Sequence, residues 1–289
     1  MKTVHEKAYA KLNISLDVGK RREDGFHEMT MVMQSISLAD AVTVTLNDTG
    51  KVRARTSLPF IPGDERNLAV KAALCYLEAI GRQGQGALIE IQKAVPVGAG
   101  MGGGSSDAAA VLRAMNRLFD HALSTGELEQ LSCSVGSDVA FCVAGGTALA
   151  TGRGEKLTEL PPMPACSITV CKPDFSISTP ELFKKLDSVY LKGHPDTSGL
   201  IDALEKGNLP ELCRRMYNVF EDVGDRRLRT VSDIRGKLLD FGALGSVMTG
   251  TGSAVFGVFR EREPAELACR ELQKEFGFCC VSEAVGRLL

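Results

Sequence analysis

Seven consecutive positions constrain this chain more than any others. Residues 98–104 read Gly-Ala-Gly-Met-Gly-Gly-Gly, five glycines in seven. That density lets a backbone turn tightly and bring several N–H groups against one anion. The flanks matter equally. A strand is predicted over 87–92, with Ile89 and Ile91 on one side. From Asp107, Val111, Leu112, Met115, Leu118 and Phe119 recur at helical spacing. Strand, glycine turn and helix in series point the first helical N–H groups and the positive dipole end at one place. The stretch Pro96-Val97-Gly98-Ala99-Gly100-Met101-Gly102-Gly103-Gly104-Ser105-Ser106 is therefore a candidate phosphate cradle. Ser105 and Ser106 add hydroxyls that can cap the helix or touch a phosphate or Mg²⁺. The stretch is not a P-loop, because no lysine follows the glycines in that pattern. It also lacks the acidic residue of a dinucleotide fingerprint about 20 residues on.

Around this centre the chain reads as α+β. An N-terminal strand over 9–18 places Lys11 and Asn13 on one face and Leu12 and Ile14 on the other. Residues 19–27 are polar and glycine-containing, a loop or hairpin. Strands follow over 31–38 and 41–46, and a helix over 67–80 that Gly81 stops. The character changes at Pro161-Pro162-Met163-Pro164, where a domain junction is expected, giving domains 1–160 and 161–289. The second half reads as a strand over 167–171, several helices over 180–240, strands over 245–248 and 254–259, a helix over 264–276 and a strand over 278–285. Helices are expected on one face of a mainly antiparallel sheet.

Composition excludes several function classes. The chain has 289 residues and a formal net charge of −2, with no basic excess to neutralise a nucleic-acid backbone. Nine cysteines show no CxxC pair, which suits reduced thiols, and four histidines show no metal-ligand spacing. The longest uncharged apolar stretch, 139–151, is too short to span a bilayer. The N-terminus lacks the apolar core of a signal peptide. A cytoplasmic protein with no membrane partner is expected. A third segment, Gly136-Ser137-Asp138-Val139, sets a carboxylate among small and apolar residues, where it needs a partner, a capping role or a chemical one.

Three motifs in order make the sequence resemble the GHMP kinase superfamily. They are Ala10-Lys11-Leu12-Asn13-Ile14, the glycine stretch, and Met248-Thr249-Gly250-Thr251-Gly252-Ser253. Within it, Asp24-Gly25-Phe26-His27, Gly136-Ser137-Asp138-Val139 and Ser178-Thr179-Pro180 with Phe183 are similar to kinases acting on a cytidine-diphosphate-linked methylerythritol. The resemblance implies a two-domain GHMP kinase fold: a ribosomal-S5-like N-terminal β/α domain and a C-terminal α/β sandwich with an antiparallel sheet. It implies ATP and Mg²⁺ as cofactors, a cytidyl small molecule as partner, no nucleic acid, and a monomer or weak homodimer.

The resemblance also assigns residues. Lys11 and Asp138 match the catalytic pair, Asp138 taking or orienting the acceptor hydroxyl's proton and Lys11 offsetting phosphoryl charge. Asn13, Phe26, His27, Met29, Thr179 and Phe183 match substrate-side positions. Asn67 and Lys93 match positions near the adenine, and Ser106 is the candidate for Mg²⁺ contact. No metal ligand set is implied. Phe26 stands where such kinases usually carry tyrosine, so stacking survives without the hydroxyl. The alternatives are a kinase for mevalonate, homoserine or a sugar, a sensor that has lost phosphotransfer, and an RNA-binding module, which the charge opposes.

Overall fold

The computed structural model describes residues 2–191 and 193–289. In chain order the elements of the first half are β1 (Thr3–Arg21), β2 (His27–Asn47), β3 (Val52–Thr56), α1 (Leu68–Ala79), β4 (Gly86–Gln92), α2 (Gly103–Leu118), α3 (Thr125–Val135), α4 (Ser137–Ala144), β5 (Thr147–Gly152) and β6 (Lys156–Glu159). The second half has β7 (Ser167–Lys172), α5 (Thr179–Leu186), α6 (Thr197–Glu205), α7 (Leu209–Arg214), β8 (Tyr217–Asn218), α8 (Leu228–Asp240), β9 (Gly245–Met248), β10 (Val255–Phe259), α9 (Arg262–Gln273) and β11 (Phe278–Glu283).

A seven-stranded sheet runs β3-β4-β2-β1-β8, with β5 on the other half of β2 and β6 beyond it. β2 reaches two partners on one edge because it is long: 29–34 pairs with β5 and 41–47 pairs with β4. The two strands expected over 31–38 and 41–46 are therefore one. The register against β1 shifts between Tyr9 and Lys11, leaving 36–38 as a bulge. The last strand's end fills that gap, where Leu38 N–H donates to Ser282 Oγ at 3.0 Å and Ile36 bridges Ala284.

A second sheet, β11-β7-β10-β9, is wholly antiparallel. Helices α8 and α9 cover one face. The other face is covered too, which differs from the one-sided arrangement expected. Ile168, Val170, Phe256 and Val258 pack there with Leu200 and Leu212 of α6 and α7, and with Leu12 and Ile14 of β1. The reason lies in β10, where all five residues are buried in an unbroken apolar run. A strand of that kind needs cover on both sides. The two halves thus share one core, and β1 pairs directly with β8 through Ser15 and Leu16.

Helix α1 starts where its sequence says. Asn67 caps it, its Oδ1 accepting from Ala69 N–H at 3.0 Å while its Nδ2 donates to Pro62 O at 2.9 Å. Helix α2 starts four residues earlier than the apolar spacing shows, at Gly103. Its N-cap is Gly102 in the left-handed region, so Ser105 and Ser106 lie in the first turn and cap nothing. The nine cysteines are free thiols. Among the described residues no helix is long and apolar enough to cross a membrane. Asn67→Ala is expected to lower the unfolding free energy by about 1 kcal/mol in chemical denaturation, the usual worth of an N-cap; an unchanged midpoint would contradict the cap.

Candidate active site

The glycine turn is built on alternation. Ala99 and Met101 are buried anchors in the core shared by the two halves. Between and beside them the backbone turns left-handed, with φ of 76° at Gly100 and 69° at Gly102. At Gly100 the demand is double, because a Cβ would lie 2.1 Å from Thr249 O. At Gly102 a Cβ would lie 3.0 Å from Lys11 Cγ. The turn is pinned on both sides: Lys11 N–H donates to Met101 O at 3.0 Å, and Ala254 N–H to Ala99 O at 3.2 Å. Val97, Gly98 and Gly104 face solvent, and of the whole stretch only Gly100 and Gly102 line the large cleft.

That cleft has a volume of about 770 Å³ and lies between the halves. Lys11 and Asp138 sit on its wall, with Lys11 Nζ 3.5 Å from Asp138 Oδ2. They are 127 positions apart in sequence (138 minus 11). Strand β1 delivers the lysine. Asp138 stands in the first turn of α4, where the positive helix end favours a carboxylate. Lys11 is 4% exposed, and its amine also donates to Asn13 Oδ1 at 2.7 Å.

Asn13 was expected to touch substrate, and the structure places it behind Lys11 instead. It is fully buried and held by Thr249, whose Oγ1 accepts from Asn13 N–H at 3.0 Å and donates to Asn13 Oδ1 at 3.4 Å. Its Nδ2 donates to Met31 Sδ at 3.3 Å. Asn13 therefore positions the lysine.

The other expected substrate-side residues do meet in the cleft. Phe26, His27, Met29, Thr179 and Phe183 all line it. The rings of His27 and Phe183 stack at 5.2 Å and 27°, and Phe220 meets Phe183 edge-on at 4.9 Å. Asp187 Oδ1 holds His27 Nε2 at 2.7 Å. Thr179 Oγ1 is 2.8 Å from Thr251 Oγ1, which closes the cleft from the third glycine-containing motif. Phe26 remains 56% exposed, with the Arg153 guanidinium 5.0 Å from its ring centroid.

Three residues expected on the nucleotide side, Lys93, Asn67 and Ser106, have their side chains engaged within the protein. Lys93 is neither solvent-facing nor directed at the cleft. Its side chain is 4% exposed and its amine bonds Asp40 at 2.5 Å and Asp107 at 2.6 Å. Asp40 also accepts from the backbone N–H groups of Ala94 and Val95, the latter at 2.7 Å. This buried triad ties β2, the end of β4 and the N-terminal part of α2 together beneath the glycine turn. Burial pushes the Asp107 carboxyl up to about 7, against the pull of Lys93. Both polar ends of the Asn67 side chain are likewise engaged, in capping α1. Ser106 is buried, donating to Gly102 O at 3.0 Å with Cys142 Sγ at 3.5 Å, so its hydroxyl does not reach the cleft. Sequence reasoning missed Arg21, Arg153, Lys184, Asp187 and Phe220. Of these only Arg153, between two glycines in a turn, carried a local signal.

Residues 67–146 match the GHMP kinases N terminal domain and residues 200–277 the GHMP kinases C terminal domain. A 4-diphosphocytidyl-2-C-methyl-D-erythritol kinase of Bacillus licheniformis is 44% identical over 274 residues, covering 95% of this chain and 93% of its own. The chain belongs to the GHMP kinases, in the branch of the 4-diphosphocytidyl-2-C-methyl-D-erythritol kinases. A kinase of the same name from Clostridium botulinum is 44% identical over 269 residues, covering 93% of this chain and 95% of its own. A crystal structure of 4-(cytidine 5'-diphospho)-2C-methyl-D-erythritol kinase superposes with a TM-score of 0.80 at 31% identity, over 98% of this chain and all of that one. A homoserine kinase from Cytophaga hutchinsonii shares the GHMP kinase fold at TM-score 0.78 and 22% identity, over 99% and 96% of the two chains.

Lys93→Met leaves two buried carboxylates facing each other without their cation. It is expected to lower the unfolding free energy by about 3–5 kcal/mol, the usual cost of breaking a buried ion group. Unchanged denaturation would show that the triad does not hold the turn.

Proposed function

We propose that this GHMP kinase transfers the γ-phosphoryl group of ATP to the 2-hydroxyl of 4-diphosphocytidyl-2-C-methyl-D-erythritol, in isoprenoid precursor synthesis. The observation that carries the reading is the Lys11–Asp138 pair, 3.5 Å apart, where the glycine turn meets an aromatic-lined cleft. Phosphoryl transfer needs positioning and charge stabilisation more than covalent help, and this site offers both. Asp138 orients the acceptor hydroxyl and takes its proton as the oxygen bonds to phosphorus and the bond to the ADP oxygen breaks. Lys11, held by Asn13, offsets the charge that spreads over the phosphoryl oxygens. The turn from Pro96 to Ser106 cradles the phosphates with backbone N–H groups at the start of α2. The ring pair His27 and Phe183, with Phe26 and Met29, receives the cytosine.

Magnesium fits this site as a phosphate-held ion. Among the described residues no group of three or more His, Cys, Asp or Glu could hold a metal, and Asp138 is the carboxylate beside the turn. Bound there, Mg²⁺ would neutralise phosphate charge, with most of its ligands from phosphate and water. A monomer or weak homodimer belongs to the same reading. The domain division at 160/161 belongs to the same reading, with β7 opening the second sheet at Ser167. Nine free thiols and a need for ATP suit the cytoplasm.

Asp138→Asn keeps the shape of the side chain and removes its proton acceptor. Turnover of the cytidyl substrate is expected to fall by about 10²–10⁴-fold, with ATP binding retained. Near-wild-type turnover in this variant would remove Asp138 from the mechanism.

A further inference from the structure

Among the described residues, the phosphoryl-transfer centre leaves two cations of the cleft, Arg153 and Lys184, without a role, and Arg153 is the one set against an aromatic ring. Arg153 stands in the turn between β5 and β6, flanked by Gly152 and Gly154. The turn is anchored at Gly152, whose N–H donates to Glu28 Oε1 at 3.0 Å. Its two sides face different chemistry. On one side, Gly154 runs against the transfer centre: a Cβ there would lie 3.0 Å from Met31 Cε and 4.0 Å from Asp138 Oδ1. On the other, the Arg153 guanidinium lies 5.0 Å from the Phe26 centroid, within cation–π range. Arg153 thus sits between the aromatic end of the cleft and its reacting end.

Charge points the same way. Lys11, Arg21, Arg153 and Lys184 line the cleft against Asp138 and Asp187, four cations to two carboxylates, in a chain of formal net charge −2. A local surplus of this sign attracts an anion. Lys11 is committed to Asp138 and Asn13, and Arg21 Nε donates to Gly25 O at 3.1 Å. Two acids outside the cleft lining, Asp24 and Glu155, feel the guanidinium's charge, and each has a further partner. Asp24 accepts from Arg22 at 3.2 Å, and Glu155 accepts Arg153's own backbone N–H at 2.6 Å. The ring of Phe26 lies against the guanidinium, whose N–H fork matches phosphate oxygens.

We propose that Arg153 grips the diphosphate linking the nucleoside to the acceptor alcohol, and so makes the site selective for nucleoside diphosphates over nucleosides. The inference rests on reading the cleft as a cytidyl-substrate site. A diphosphate joining two carbon groups is a dianion, which matches the surplus of two. It also lies between nucleobase and reacting hydroxyl in such a substrate, as Arg153 lies between Phe26 and Asp138 in the cleft.

The test is equilibrium binding, without turnover. Cytidine and CDP are titrated into wild type, Arg153→Gln and Arg153→Lys, with the nucleotide side filled by a non-hydrolysable ATP analogue. Wild type is expected to bind CDP more tightly than cytidine. Arg153→Gln is expected to lose about tenfold to a hundredfold of the CDP affinity, the range for one charged hydrogen-bonding donor, and to leave cytidine unchanged. Arg153→Lys is expected to recover part of the loss, and both variants to melt as wild type does. An unchanged CDP-to-cytidine ratio in Arg153→Gln would overturn the role of Arg153 while leaving the cytidyl reading intact. Equal affinity of wild type for the two ligands would show that no diphosphate is gripped. Binding of neither ligand to wild type would sink the cytidyl reading, and this inference with it.

Discussion

Two glycine turns in backbone contact hold the site together. Gly100, in the turn before α2, and Gly250, in the turn before β10, approach so closely that neither tolerates a side chain: a Cβ on Gly250 would lie 2.8 Å from Gly100 O. Thr249 is the hub, its hydroxyl reaching Asn13 and Gly100 O. Asn218 of β8 holds the second turn from below, donating to Met248 O at 2.7 Å and Gly250 O at 2.8 Å. Each turn comes from a different half, so this contact fixes how the halves meet. The cleft, the pose of Lys11 and the placement of Thr251 opposite Thr179 all follow from it.

Polar groups buried beneath the turns make the arrangement specific. Strand β1 carries Lys11, Asn13 and Ser15 on its polar face, all nearly sealed from solvent. An isolated ammonium there would be costly, so the lysine is met by Asn13 and Asp138. Lys93 solves the same problem with Asp40 and Asp107, in a closed triad away from the cleft. The two lysines differ in one respect that matters for chemistry. Lys11 shares its pocket with a partly exposed carboxylate at the cleft wall, whereas both partners of Lys93 are buried. The first can act on a ligand, and the second organises the floor under it.

Much of this was legible in the residues. The spacing of Leu68, Ala72 and Leu77 marked α1, and Gly81 marked its end. The apolar runs of the second half gave β7, β9 and β10 within a residue or two. The density of glycine marked the turn before α2, and the resemblance to the GHMP kinases joined Lys11 to Asp138. What was hidden depended on tertiary context. The bulge that merges two expected strands into β2 is filled by Ser282 and Ala284, some 245 positions away in sequence. The early start of α2 was masked by glycines, poor helix formers that packing overrides. Lys93 read as a nucleotide-side residue because its acids, Asp40 and Asp107, lie in other elements. His27 needs Asp187 from α5's end, and nothing near either residue announces the other.

The most direct test of the account is ATP consumption by the purified protein, with 4-diphosphocytidyl-2-C-methyl-D-erythritol, mevalonate and homoserine supplied one at a time. The account predicts ADP release with the cytidyl alcohol alone. ADP release with mevalonate or homoserine, and none with the cytidyl alcohol, would contradict it.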